Sequence, residues 1–158
     1  MAVSTEAASW VTTREADGVW YVCLARAEKR NAITIEFLHA IADAVAQADQ
    51  HPHVRAVVLH ADGPMFSAGI DVMSLMMSRA ALGDGNVSRW LRRFAEDLQH
   101  ALYRIEQTEV PVIAALHGKV LGLGLELALA ADFRVATEDC ILALPETRLG
   151  LIADVGGT

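Results

Sequence analysis

Residues 111–136 read PVIAALHGKVLGLGLELALAADFRVA, and this stretch decides which fold the chain can form. A short apolar run at 112–116 ends in a His-Gly turn, and the glycine-rich segment 118–124 follows it. The stretch is about long enough to cross a bilayer. It carries Lys119 and Glu126, however, and charges near a bilayer centre cost about 2.5–3.5 kcal/mol each. We therefore expect a buried strand, a turn and a helix here, and no membrane partner.

The alternation of strand and helix continues on both sides of this stretch. A helix is predicted from Thr34 to Gln50, with Thr34 as its N-cap, and a second amphipathic helix covers 91–105. The remaining β-rich runs are WVTTR at 10–14, GVWYVCL at 18–24, RAVVLHA at 55–61, DFRVA at 132–136 and CILAL at 140–144. The first two runs are expected to pair antiparallel. The pattern indicates one α/β domain, residues 1–158, with short parallel strands.

Composition excludes several classes of function. The chain has 158 residues, 53% of them hydrophobic, which is enough for a sizeable core. Its 13 basic and 20 acidic residues give a net charge of −7, so nothing electrostatic favours nucleic acid. Cys23 and Cys140 stand far apart, and neither they nor the six histidines have metal-site spacing. Because the N-terminus also lacks a secretory signal, we expect a cytoplasmic protein without a bound metal.

Three short segments combine small residues with an acid: FSAGID at 66–71, GLGLE at 122–126 and LPETRLGLIADVGG at 144–157. Small residues let a ligand approach the backbone, and N–H groups at helix starts are free to bind developing negative charge. Carboxylates in an apolar site have raised pKa values and serve as general acids and bases. Glu126, Glu146 and Asp154 are therefore the candidate catalytic acids.

Plainer interpretations exist for the same residues. Glu126 could simply complement the dipole of a helix start, and Asp154 could cap a turn. GLGLE lacks the third glycine of a dinucleotide fingerprint, and Ser67 lies outside a GxSxG motif. The sequence therefore gives no support for a redox nucleotide or a serine hydrolase.

The segments AEKRNAIT, RAVVLHADGPMFSAGIDV, PVIAALHGKVLGLGLELALAADFRVA and LALPETRLGLIADVGGT together resemble the crotonase family, the enoyl-CoA hydratase/isomerase superfamily. The resemblance implies a crotonase-like spiral of ββα units that binds an acyl-CoA thioester and stabilises its enolate. It implies no separate cofactor, since coenzyme A is part of the substrate, and a homotrimer or hexamer. Family members continue with a helical C-terminal part, so residues 1–158 are expected to be a truncated N-terminal core.

Carried over by position, the resemblance assigns roles to individual residues. The backbone N–H groups of Ala68 and Leu123 match the oxyanion hole, although the family usually has glycine at the second position. Glu126 and Glu146 match the two catalytic glutamates of the hydratases. The residues expected to bind substrate are Ala68, Gly69, Ile70, Asp71 and Leu123.

Three functions remain open. The leading prediction is an enoyl-CoA hydratase that adds water across the 2,3 double bond. The alternative is an enoyl-CoA or dienoyl-CoA isomerase using Glu146 and Asp154, because ADVG at 153–156 resembles the dienoyl-CoA isomerase pattern. A further alternative is a non-catalytic crotonase-like protein that binds coenzyme A or self-associates.

Overall fold

The computed structural model describes residues 10–83, 85–149 and 155–157. Its first element is a hairpin in which β1 (Val11–Ala16) pairs antiparallel with β2 (Val19–Leu24), as predicted. Asp17 and Gly18 join the strands with φ angles of 53° and 75°. Two consecutive positive φ values are the signature of a tight hairpin turn whose twist matches the strands, and Asp-Gly is a preferred sequence for it.

Parallel strands extend the hairpin into a larger sheet. β3 (Ala56–Ala61), β4 (Val112–Leu116) and β6 (Phe133–Ala136) follow β2 in parallel, in the order β1-β2-β3-β4-β6. A second, two-stranded sheet pairs β5 (Lys119–Leu121) with β7 (Ile141–Ala143). We did not predict β5, because three residues are too few to show an alternating pattern.

Two long helices lie where the periodicity predicted them. α1 (Ile35–Ala46) begins after Thr34, whose hydroxyl oxygen accepts a hydrogen bond from the Phe37 N–H at 3.2 Å, so the predicted N-cap is confirmed. The last residues of the predicted helix, Gln47–Gln50, form a 3₁₀ turn instead. α3 (Val87–Glu106) begins at Asn86, whose side chain caps it in the same way.

Two shorter helices flank the candidate site. α2 (Val72–Ala81) contains no buried residue, and its methionines Met73, Met76 and Met77 are exposed. α4 (Leu123–Leu129) is mostly buried and carries Glu126 in its first turn.

The core lies between the large sheet and the long helices. Most of its largest fully buried side chains come from β2, β3, α1 and α3, namely Val22, Leu24, Phe37, Leu38, Ile41, Val45, Val57, Leu59 and Ile105. Alternate residues of β2, β3 and β4 face this core, as expected for strands covered by helices on one side. The architecture confirms the predicted mixed α/β class. In the part of the chain that the structure describes, each helix is too short or too polar to cross a membrane.

Candidate active site

Gly122 sets the turn from β5 into α4. Its φ of 52° lies in the left-handed region that favours glycine. Its N–H donates to the Ala143 carbonyl at 2.9 Å, and its carbonyl accepts the N–H groups of Leu125 and Glu126 at 2.7 and 3.0 Å. The turn therefore fixes the start of α4 against β7, with Glu126 one turn along the helix.

Glu126 is a buried acid, with only 3% of its surface exposed. One of its oxygens, Oε1, accepts backbone N–H groups from Val155, Gly156 and Gly157 at 3.0, 3.1 and 3.0 Å. The other oxygen, Oε2, has no hydrogen-bond partner among the described residues. A proton on this carboxyl group must therefore reside on Oε2, which is the oxygen available to a ligand.

The environment of Glu126 favours its protonated form. Burial raises its pKa above the usual 4.5, and the three backbone N–H groups oppose that rise. The neighbouring charge of Glu146 raises the pKa further. An acid with a raised pKa is suited to exchange protons with a substrate near neutral pH.

The side chain of Glu146 lies near Glu126 but belongs to a separate segment of the chain. It lies in the 3₁₀ turn Pro145–Leu149 that follows β7. Its Oε1 is 2.6 Å from the point where a side chain at Gly122 would begin. Its Oε2 is buried and has no hydrogen-bond partner among the described residues. A buried polar atom without a partner is costly, and such atoms in native proteins usually await water or a ligand.

The structure thus brings together two of the three predicted acids. The third, Asp154, lies outside the described residues, so its predicted role is still a prediction.

The oxyanion-hole prediction requires one correction. The N–H of Ala68 donates to the Arg30 carbonyl at 3.0 Å and is not free. Two residues later, the N–H of Ile70 has no partner among the described residues. In the bridge to Ile33, the Gly69 carbonyl accepts the Ile33 N–H and the Asp71 N–H donates to the Ile33 carbonyl, so the Ile70 N–H is not used. The free donor of this segment is therefore Ile70.

Unlike Ala68, the second predicted donor, Leu123, lies at the start of a helix. It is the first residue of α4, where helical N–H groups have no partner within the helix. The segments that carry Ile70 and Leu123 are neighbours, because the Leu121 N–H donates to the Ser67 carbonyl at 3.1 Å. Gly69 also lies so close that a side chain there would begin 2.7 Å from the Leu121 carbonyl oxygen.

Asp71 was expected to bind substrate, and this role is still a prediction. Its Oδ1 accepts the Ser74 N–H at 3.1 Å as the cap of α2, and its Oδ2 accepts from Arg26 at 2.9 Å. Burial alone would raise the pKa of Asp71, but the hydrogen bonds from Ser74 and Arg26 outweigh it and hold the pKa below its usual value. Both oxygens of Asp71 are therefore used internally.

Sequence reasoning missed the polar residues that hold the donor segment in place. Asn31 is fully buried, and its Nδ2 donates to the carbonyls of Asp62 and Met65 at 2.8 and 3.2 Å. Ser67 is also fully buried, and its hydroxyl donates to the Asn31 carbonyl at 2.8 Å. Arg26 adds hydrogen bonds to Asp71 and to the Ala32 carbonyl. The only signal for Asn31 was its place in the quoted AEKRNAIT segment.

A cavity of about 400 Å³ opens elsewhere, between α1, α2 and α3. Its lining includes Ile35, Leu82, Trp90 and Phe94, together with Arg89 and Arg93. Neither Glu126 nor Glu146 borders this cavity, so it is separate from the candidate site that the two acids form.

Comparisons with known proteins show the family of the chain. The profile of the enoyl-CoA hydratase/isomerase family matches residues 19–158. The enoyl-CoA isomerase/hydratase fer4 of Mycosarcoma maydis is 36% identical over 156 residues, covering 93% of this chain and 54% of the relative. The peroxisomal Delta(3,5)-Delta(2,4)-dienoyl-CoA isomerase of Arabidopsis thaliana is 34% identical over 142 residues, covering 87% and 51%.

Solved structures have the same fold. The enoyl-CoA hydratase of Polaromonas sp. JS666 is 29% identical and superposes with a TM-score of 0.82, covering 93% of this chain and 55% of that one. The chain spans about half the length of the curated relatives it matches. With its paired acids and the matched profile, the chain belongs to the enoyl-CoA hydratase/isomerase family and has the crotonase fold.

Proposed function

We propose that the protein is an enoyl-CoA hydratase, which adds water across the 2,3 double bond of an acyl-CoA thioester. The observation that carries the proposal is the meeting of Glu126 and Glu146 beside Gly122, each with an oxygen that has no hydrogen bond from the described residues. Hydration needs one group to activate water and another to deliver a proton to the α-carbon, and paired carboxyl groups can do both.

The roles of the two acids follow from their surroundings. Burial raises the pKa of Glu126, which suits this group to deliver a proton from Oε2. The unpaired Oε2 of Glu146 is available to bind and activate a water molecule. The N–H groups of Ile70 and Leu123 are the donors for the thioester oxygen as its negative charge develops. One such donor is worth about 2.7–4 kcal/mol in the transition state. In this proposal coenzyme A is part of the substrate, and the reaction uses no metal or redox nucleotide.

Isomerisation is the second candidate. The Arabidopsis relative is named a dienoyl-CoA isomerase, and the chain carries Asp154 in the ADVG pattern. In that reaction Glu146 and Asp154 would lie on opposite sides of the migrating double bond, and Glu126 would matter less.

Three variants of the full-length protein separate these functions: Glu126→Gln, Glu146→Gln and Asp154→Asn. Each is assayed with a 2-enoyl-CoA and with a 2,4-dienoyl-CoA. Because positioned acids and bases contribute about 10²–10⁴-fold each, both glutamine variants should lose hydration by that factor, and Asp154→Asn should lose much less.

Two other results would replace the hydratase proposal. If Asp154→Asn abolishes turnover while Glu126→Gln retains most of it, the isomerase alternative is correct. If the wild-type protein binds both thioesters but converts neither, the non-catalytic alternative is correct. Turnover that a chelator abolishes and zinc restores while the chain stays folded throughout would contradict the metal-free mechanism.

A further inference from the structure

Cys23, His60 and Asp62 meet on one face of the large sheet. Cys23 in β2 and His60 in β3 are register partners in adjacent parallel strands. Asp62 follows two residues after His60, and its N–H donates to the Leu24 carbonyl at 2.9 Å, which extends the ladder. Residues two apart on an extended strand point to the same face. One possible ligand atom from each side chain lies within 4.8 Å of the other two.

This face is opposite to the one that packs on the helical core. Val22 and Leu24, on either side of Cys23, are fully buried core residues, so the Cys23 side chain points away from them. Burial within the cluster decreases outward, from buried Cys23 through half-buried His60 to exposed Asp62. The cluster is therefore firmly held at one end and open to solvent at the other.

The three side chains make few contacts outside the cluster. The Cys23 thiol interacts with Asp62 and with the Thr12 side chain and lies 3.6 Å from the Leu24 carbonyl oxygen. The His60 ring packs edge-on against Tyr21. Among the described residues, the His60 ring nitrogens have no hydrogen bond within standard distance, and the Asp62 carboxylate has no ion pair.

We propose that Cys23, His60 and Asp62 bind one divalent cation of the zinc type. A thiolate, an imidazole nitrogen and a carboxylate are the ligands that zinc prefers, and three protein ligands leave the fourth, tetrahedral position to water. Bond lengths of about 2.0–2.3 Å require the ligand atoms to approach one another by roughly 1 Å, which small side-chain rotations can supply. Burial raises the pKa of the Cys23 thiol to about 11, so binding must release its proton.

The proposed ion would be structural and not catalytic. The cluster includes neither Glu126 nor Glu146. The carbonyl of Asp62 accepts a hydrogen bond from Asn31 at 2.8 Å, which links the cluster to the contacts that hold the donor segment 66–71. An ion that binds only the folded chain stabilises it in proportion to the logarithm of its concentration above Kd.

The test uses Co²⁺ as a spectroscopic probe on the full-length protein after treatment with a chelator. We expect one Co²⁺ per chain, with a thiolate-to-cobalt charge-transfer band that Zn²⁺ displaces. Cys23→Ala should lose the band, and His60→Ala and Asp62→Asn should weaken binding by more than about tenfold, since even outer-sphere partners contribute 10–100-fold. Cys140→Ala and His53→Ala are matched controls that should keep the band.

His60 and Asp62 are at least partly exposed, so their variants should fold even if Cys23→Ala does not. Cobalt binding without a thiolate band, or a band that depends on Cys140, would overturn the proposal. So would equal Co²⁺ affinity in the wild type, His60→Ala and Asp62→Asn. None of these measurements depends on turnover, so they test the metal site separately from the proposed hydratase activity.

Discussion

Glu126 and Glu146 show how a fold can hold two acids together in an apolar setting. Three backbone N–H groups stabilise one oxygen of Glu126, while burial and the neighbouring Glu146 favour protonation of the group. The environment thus supports both protonation states of the same carboxyl group. This balance is what a residue that gives and takes a proton requires.

The raised pKa of Glu126 predicts a pH-dependent stability. The unfolded chain loses this proton near pH 4.5, before the folded chain does, so the folded state binds more protons in the window above that pH. The contribution of Glu126 to the unfolding free energy is therefore fully present below pH 4.5. It is lost as the pH rises through the folded-state pKa.

Urea unfolding of the wild type and of Glu126→Gln measures their unfolding free energies across this pH window. The difference between the two free energies should fall as the pH rises. Glu138→Gln, at an exposed turn, is the matched control and should follow the wild type. Parallel curves for the wild type and Glu126→Gln would contradict the prediction.

Gly122 offers a second test at the residue scale. Gly122→Ala should strain the backbone by about 1–2 kcal/mol, because its φ is positive. It should also push aside Glu146, whose Oε1 lies 2.6 Å from the new carbon, and lower turnover by about 100-fold or more.

Gly83→Ala is the matched control for that variant. Its φ of 58° is also positive, so a side chain there is strained too, but no atom lies within 4 Å of the added carbon. It should therefore lose stability and keep turnover, as measured by denaturation and by assay of the full-length protein. Equal turnover in Gly122→Ala and Gly83→Ala would show that activity does not require the space beside Gly122 to be free of a side chain.

At the scale of the elements, α3 shows how one helix serves two environments. Its buried side chains Leu98, Leu102 and Ile105 face the core, and Leu91 near its start is exposed. Arg104 pairs with Asp43 of α1 across the surface. Because both partners of this pair are about one-third exposed or more, it contributes at most about 1 kcal/mol, and packing holds the two helices together.

Truncation of leucines along α3 should separate packing from helix propensity. Leu102→Ala removes a nearly buried side chain and should lower the unfolding free energy by about 2–5 kcal/mol. Leu91→Ala makes the same chemical change at an exposed position and should stay within about 0.5 kcal/mol of the wild type. Chemical denaturation measures both, and similar losses would contradict the described packing of α3.

At the scale of the whole molecule, two strands expose apolar side chains in addition to those of α2. Phe133 and Val135 of the edge strand β6, and Ile141 and Leu142 of β7, are exposed. The chain spans about half of its relatives, some of which are named as peroxisomal or mitochondrial proteins. The cytoplasmic location and the absence of a nucleic-acid partner are still predictions.

We expect the full-length protein to assemble as a trimer or as a dimer of trimers. The expectation rests on the family resemblance, and assembly would cover exposed apolar surface such as that of β6 and β7. Sedimentation equilibrium at micromolar concentration gives the mass directly. A monomer under those conditions would show that the prediction is wrong.

What the sequence determined by itself was local. The Asp-Gly hairpin, the cap at Thr34 and the periodicity of α3 depend on residues within a few positions of each other, so their patterns are visible in the chain. The alternation of strand and helix predicted the α/β class. The family resemblance added the crotonase fold and matched Glu126 and Glu146 to two catalytic glutamates. It could not say which N–H group of the segment 66–71 is free.

The tertiary structure alone decided how distant groups pair. Ala68 is not a free donor because its N–H donates to the Arg30 carbonyl. The carboxylate of Asp71 pairs with Arg26, which lies 45 positions away in the sequence. Cys23 and His60 are neighbours only because β2 and β3 align in one register. A hydrogen bond or a cluster of ligands depends on distances of a few ångströms between segments, and a pattern along the chain carries no record of those distances.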